Sequence, residues 1–334
     1  MKRHASRMLL GMLLSGFVAA CAGPHTTDNL STYARVRPPS YFGHGPDDPF
    51  WWSGTVQIGK LHDHGNFGDK RTVAILDSGY RKASKAVADG RIAKSGVELC
   101  SGNETDDFDD INGHGTAMAG ITVGQDKGSN QTTDGVASKA MLLPVKVVCG
   151  VSTNESVIRG VQIALDNKVD VILLALGAWP SDIDASSKQD VHQRLLSKVR
   201  QSDAQNTLFV VASVWDDATV YKRPDWTKED NVLLAAAMTL DSATEVTDGN
   251  QTGDLWAPGR NVGTASNEED PQKPGTYPQF SMHGTSAAAA ILAGCAAAIK
   301  NTSETGAALK GRLKNNFYRK MPGGQPRLDC SKGL

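Results

Sequence analysis

The chain of 334 residues has almost no net charge, few cysteines and only one long apolar run, and each of these shortages excludes something. Formal net charge is −1, from 35 Lys and Arg against 36 Asp and Glu. Three of the basic residues (Lys2, Arg3 and Arg7) stand at the extreme N-terminus, so the remainder carries about −4. That is no footprint for nucleic acid, whose binders present a basic face. None of the five cysteines forms a CxxC pair, and no histidine pair stands at ligand spacing beside a cysteine, so the common zinc patterns are absent. Beyond the first 21 residues no stretch is long and apolar enough to span a bilayer. With no internal repeat and no second linker, one domain is the simplest organisation. Its 40% hydrophobic content at this length is enough for one substantial core.

What is present begins with "MKRHASRMLLGMLLSGFVAAC". Basic residues, a short apolar stretch and small residues read as a secretory signal over 1–20, too short and poorly flanked for a transmembrane span. "VAAC" resembles the bacterial lipobox, in which the cysteine is acylated and becomes the new N-terminus. Cys21 is therefore the candidate lipidation site, and a membrane reached through a lipid anchor is an expected partner. Residues 21–50 are polar and rich in Pro, Gly, Asp and His, as in "RPPSYFGHGPDDP", which suits an arm leading away from the membrane. Ordered structure is expected to begin near Trp51 and Trp52, with one catalytic domain over 51–334. Export permits disulfides. After Cys21 the chain has Cys100, Cys149, Cys295 and Cys330, which allow three full pairings. Cys295 falls within an alanine-rich helical stretch and reads as a small buried thiol.

The body of the chain alternates between two patterns. "TVAILDSG", "MLLPVKVVC", "VDVILLALG", "TLFVVAS" and "NVLLAAAM" are short apolar runs ended by small or polar residues, as buried strands are. Between them, "STNESVIRGVQIALDN" offers Ser152 and Glu155 as a capping box and then sets Val157, Ile158, Val161, Ala164 and Leu165 on one helical face. "SSKQDVHQRLLSKVRQ" repeats the idea with Val191, Leu195 and Val199. Strands apolar on both faces, alternating with helices, predict an α/β fold with a parallel sheet covered by helices. Active sites of such sheets lie at the carboxyl ends of the strands.

Three residues occupy places of that kind. Asp77 ends the first strong strand, His114 precedes a small-residue helix in "DINGHGTAMAGI", and Ser286 precedes another in "HGTSAAAAILAG". Each alone has a plain reading as turn or cap chemistry. Together they supply a carboxylate, an imidazole and a hydroxyl. A serine nucleophile needs an imidazole to take its proton, and the imidazole needs a carboxylate to fix its tautomer. A helix that starts at the serine directs N–H groups and the positive end of its dipole at a developing oxyanion.

With these residues in hand the sequence resembles the subtilisin-like serine proteases. "AILDSG", "NGHGTAMAGI" and "HGTSAAAAILAG" match the family's Asp, His and Ser motifs in the family's order, and "LLALGAW" and "LWAPG" match two further blocks, over about 72–300. The resemblance implies a three-layer α/β/α fold with a mostly parallel central sheet. Asp77 becomes the orienting carboxylate, His114 the general base and Ser286 the nucleophile. Leu176, Gly177 and Ala178 should run beside an extended peptide substrate, with Ser213 and Val214 near its specificity pocket. It also sets the strand ending "VELC" beside the one ending "VKVVC", which implies a Cys100–Cys149 disulfide. His283 precedes a second Gly-Thr, but it stands three residues before the nucleophile and reads as a rim residue. The resemblance requires no cofactor. Calcium is common in the family, while the acidic run "ETDDFDDINGHG" reads equally as a solvated loop.

Two departures bear on the chemistry. Where the family carries an oxyanion-binding asparagine, this chain has "VVASVWDD", which aligns Asp216, or with a one-residue shift Trp215, at that place. An ionised Asp216 would repel the oxyanion, whereas a protonated one could donate to it. The helix after Ser286 has apolar residues where the family has Met, Thr, Pro and His. The expected function is an exported, lipid-anchored serine endopeptidase facing the periplasm or cell surface, acting on peptide or protein substrates. A peptide-binding pseudoenzyme of the same fold is the alternative, and a small-molecule esterase or amidase a more distant one.

Overall fold

Five apolar runs form the middle of one sheet. The structure is a computed structural model, described here for residues 48–100, 103–125, 134–149, 154–176, 185–213, 225–242, 244–249 and 251–334. Its strands are β1 (Thr72–Asp77), β2 (Val97–Glu98), β3 (Met141–Lys146), β4 (Val171–Leu174), β5 (Leu208–Ala212), β6 (Val232–Asp241), β7 (Thr244–Thr247), β8 (Leu255–Pro258), β9 (Val262–Ala265), β10 (Gln279–Met282), β11 (Tyr318–Lys320) and β12 (Pro326–Leu328). The helices are α1 (Trp51–Thr55), α2 (Ile58–Asp63), α3 (His114–Val123), α4 (Asn154–Asp166), α5 (Ala185–Val199), α6 (Thr285–Ile299) and α7 (Gly306–Asn316). The signal segment, Cys21 and the arm as far as 47 lie outside the described residues, as does Ser152 of the expected capping box. Among the described residues no helix is long and apolar enough to cross a membrane.

The large sheet runs β11-β12-β8-β6-β5-β4-β1-β3-β2, with β7 added antiparallel beside β6. From β12 to β2 every neighbouring pair is parallel. Alternation along each strand divides the core in two. Val73 and Ile75 of β1, Val171 and Leu173 of β4 and Leu208 and Val210 of β5 face a cluster that holds α3 and α6. Ala74 and Leu76, Ile172 and Leu174, and Phe209 and Val211 face the cluster under α4 and α5. The expected three-layer α/β/α arrangement is thus the one observed. It follows from strands that are apolar on both faces. From β1 the chain builds β2 and β3 on one side and then crosses back to build β4, β5 and β6 on the other. The carboxyl end of β1 is therefore a topological switch point, where α/β sheets open a crevice.

Two disulfides brace this frame. Cys100, just past β2, is joined to Cys149, just past β3, with Cα atoms 5.9 Å apart; β2 and β3 are paired in parallel, Glu98 opposite Lys146. Cys295 is buried, but the reading of it as a free thiol is corrected: it is joined to Cys330, again with Cα atoms 5.9 Å apart. The physical reason is the chain's return. After β12, Cys330 N donates to Val56 O, and this closing segment passes beside α6.

Candidate active site

Asp77 is the last residue of β1, and its side chain is buried. Immediately beyond it, Ser78 N donates to Asp77 Oδ1 at 2.7 Å. Ser78 Oγ in turn accepts from Gly115 N at 2.9 Å, which fastens the first turn of α3 to the end of β1. The glycines of "DSG" and "HGT" permit this approach. A Cβ on Gly115 would overlap the Gly79 carbonyl oxygen, and Gly79 itself has φ +112° against the backbone at Phe108.

His114 opens α3. Its Nδ1 lies 2.8 Å from Asp77 Oδ1 and 2.9 Å from Oδ2. A carboxylate only accepts, so the proton of that contact resides on Nδ1 and Nε2 is left as the basic nitrogen. The helix start is held by a residue that the sequence reading passed over. Asp110 is fully buried. Its Oδ1 accepts from Asn112 N and Gly113 N at 3.0 and 2.8 Å, and its Oδ2 accepts from Thr116 N and Thr116 Oγ1 at 2.8 and 2.6 Å. The reading of "ETDDFDDINGHG" as a solvated loop is corrected at this position. Asp110 caps α3 and saturates its own carboxylate in doing so. An aspartate six residues ahead of a threonine, with Asn-Gly between, was the available signal.

Ser286 is the second residue of α6, and it is buried. Its Oγ lies 2.9 Å from the carbonyl oxygen of Ala175, just past β4. Gly284 N donates to Gly259 O at 2.6 Å, and this ties the turn before the serine to the "APG" segment at the end of β8. α3 and α6 pack directly together. Thr122 Oγ1 donates to Ala290 O at 3.1 Å, and a Cβ on Gly294 would fall 2.9 Å from the Thr122 carbonyl oxygen. Asp77, His114 and Ser286 thus stand on three elements joined at one end of the sheet: the end of β1, the start of α3 and the start of α6.

Leu176 follows Ala175 and packs against the α4/α5 core, while Gly177 and Ala178 lie outside the described residues. Ser213 is buried past the end of β5, its N–H donating to Ala235 O at 2.8 Å and its hydroxyl to Thr252 O at 2.6 Å. Val214, Trp215 and Asp216 lie outside the described residues. His283 lies on the rim just ahead of Ser286, partly open to solvent. Among the described residues, three potential metal ligands converge only at Glu98, Cys100 and Cys149, where the disulfide uses both sulfurs.

A parallel α/β sheet with an Asp–His pair at its switch point and a serine opening the adjacent buried helix has the groups that serine-type hydrolysis needs. Residues 68–329 match the subtilase (Peptidase S8) family, and the chain belongs to it. It is similar to the major intracellular serine protease of Bacillus subtilis strain 168, at 28% identity over 71% of this chain and 70% of that protein. An intracellular serine protease of Paenibacillus polymyxa is 30% identical over 68% of this chain and 66% of its own length. Among solved structures, the MycP3 protease from the type VII (ESX-3) secretion system superimposes with a TM-score of 0.61 at 20% identity, covering 89% of each chain. That likeness is one of fold. Family and relatives together make this chain a subtilisin-like serine endopeptidase.

Proposed function

We propose that the chain cuts peptide bonds with Ser286 as nucleophile, His114 as general base and Asp77 as the carboxylate that orients it. The observation that carries this reading is the two-oxygen contact between Asp77 and His114 Nδ1, at 2.8 and 2.9 Å, beside the start of α6. With Nδ1 committed to Asp77, Nε2 takes the proton from Ser286 Oγ as the oxygen attacks the substrate carbonyl. The carbonyl π electrons move to its oxygen, giving a tetrahedral oxyanion. Collapse expels the amine, which receives the proton from His114, and leaves an ester on Ser286. Water repeats the sequence to release the acid. The N–H groups at the start of α6 and the positive end of its dipole favour the oxyanion. Asp216 in protonated form is the proposed further donor, since a neutral carboxyl group donates where an ionised one repels.

The substrate is an extended peptide lying beside Leu176, Gly177 and Ala178 as an added strand, with Ser213 and Val214 near its side-chain pocket. The protein is proposed to work outside the cytoplasm, tethered through a lipid on Cys21. The signal-like start supports this, and so do two disulfides, which persist in oxidising compartments. The test is cleavage of a mixed peptide library by the chain from residue 22 onward. Wild type should yield new amino termini that Ser286→Ala and His114→Ala do not. Equal cleavage by wild type and Ser286→Ala would overturn the reading.

A further inference from the structure

His283, singled out in the sequence as a rim residue, has no part in the proposed chemistry, and its surroundings give it a task. The β9–β10 ladder ends with Val262 opposite Met282. One residue further on, backbone pairing fails, because Asn261 has a left-handed conformation with φ 50°. There the His283 side chain fills in: Nδ1 lies 3.2 Å from Asn261 N, an obligatory donor. Backbone contact resumes with Gly284 N on Gly259 O, and Ser286 follows two residues later.

We infer that His283, in its neutral form, is a positioning residue for the nucleophile: its Nδ1 accepts the Asn261 N–H and locks the 259–261 turn against the 283–286 turn. The inference rests on Ser286 being the nucleophile. The turn is fixed from its other side as well, since Trp51 Nε1 donates to Arg260 O at 2.9 Å and Gly263 N donates to Pro49 O at 2.7 Å. His283 is thus a second link, beside Gly284 N on Gly259 O, between a braced turn and the one that carries Ser286.

The donor dictates the tautomer. Nδ1 must be bare, so the ring carries its proton on Nε2, and a second proton on Nδ1 breaks the contact. Two charged groups act on the ring: Arg260 disfavours the imidazolium, and Asp248, itself paired to Arg260 Nη2 at 2.7 Å, favours it. Partial burial, then Arg260, hold the imidazole below its ordinary 6.5, and Asp248 only partly offsets them. Because the native value is depressed, the neutral form is fully present above about 6.5 and is lost as pH falls through the lowered value.

The test compares wild type, His283→Ala and His283→Asn, reading peptide hydrolysis and the rate of Ser286 labelling by a fluorophosphonate between about pH 5 and pH 8. At pH 8 wild type should exceed His283→Ala about fivefold in kcat with KM little changed, as one lost hydrogen bond implies. The ratio should fall toward one at the acid end. His283→Asn, whose side-chain oxygen accepts at every pH, should recover most of the loss and show a flat ratio. Nitrogen NMR of the wild-type imidazole should find Nδ1 unprotonated at neutral pH. A wild type that does not label removes the functional reading and this inference with it. A wild type that labels while the alanine variant keeps its rate and pH profile, or a proton found on Nδ1, overturns the inference alone.

Discussion

The two pairs of helices on either side of the sheet are built on different principles. α4 and α5 are amphipathic: Val157, Ile158, Val161, Ala164 and Leu165 of the first, and Val191, Leu195 and Val199 of the second, face the core. Their outer surface is tied by exposed ion pairs, with Glu155 on Arg194 and Arg159 on Glu104. α3 and α6 have no outer surface. Every residue of α3 after His114 is buried, and so are all fifteen of α6. Alanine and glycine make this possible, because a helix covered on all sides has room only for short side chains where backbones approach. The outer helices close the core. The inner helices are core, and the two residues proposed for proton transfer and attack sit at their first turns, where packing fixes both start points.

The sharpest way to break this comparison is at the chemistry itself. Ser286→Ala should lower kcat by on the order of 10⁶-fold, the scale seen when the nucleophile of a serine protease is lost, with little change in the thermal midpoint. Retained activity in a folded variant would separate the buried helix from the function. Next in size, removing the Cys295–Cys330 bridge as a double alanine variant should cost about 4 kcal/mol, from a closure of 35 residues. Reductant should lower the midpoint of wild type by more than that of the double variant, which keeps only the Cys100–Cys149 bridge. Gly115→Ala and Gly294→Ala should each cost about 1–3 kcal/mol in denaturant unfolding through overpacking, and Gly115→Ala should also lower kcat by moving His114. A neutral result at both would mean that α3 and α6 have space the geometry denies them. The smallest effect belongs to the outer layer. Arg194→Ala should change stability by less than about 1 kcal/mol, as exposed ion pairs do. A larger loss there would blur the contrast.

The same contrast explains what the sequence made legible. The five apolar runs became β1, β3, β4, β5 and β6, because a strand buried on both faces has no other reading at that length. The stripes of α4 and α5 were visible for the complementary reason, one face being wet. Asp77, His114 and Ser286 were found through motif order, and local structure explains the spacing: strand end, helix start, helix start. What escaped depended on tertiary contact. Asp110 stands in an acidic run and gives no sign that four donors at and just before one helix start enclose it. Cys295 sits in an alanine run, and its partner is decided by where the chain returns 35 residues later. The short strands β9 and β10 carry no apolar run: β9 is buried but is Val-Gly-Thr-Ala, with Thr264 Oγ1 donating to Ala117 O of α3, and β10 is only partly buried.

The central claim is that His114, held by Asp77, activates Ser286. It is tested most directly by reacting the folded protein with a fluorophosphonate and locating the adduct by peptide mass spectrometry, in wild type and in His114→Ala. The account predicts a single adduct on Ser286 in wild type and its loss, or a drop in rate of several hundred-fold or more, in the variant. No adduct on Ser286, or one that forms at the same rate without His114, would contradict it.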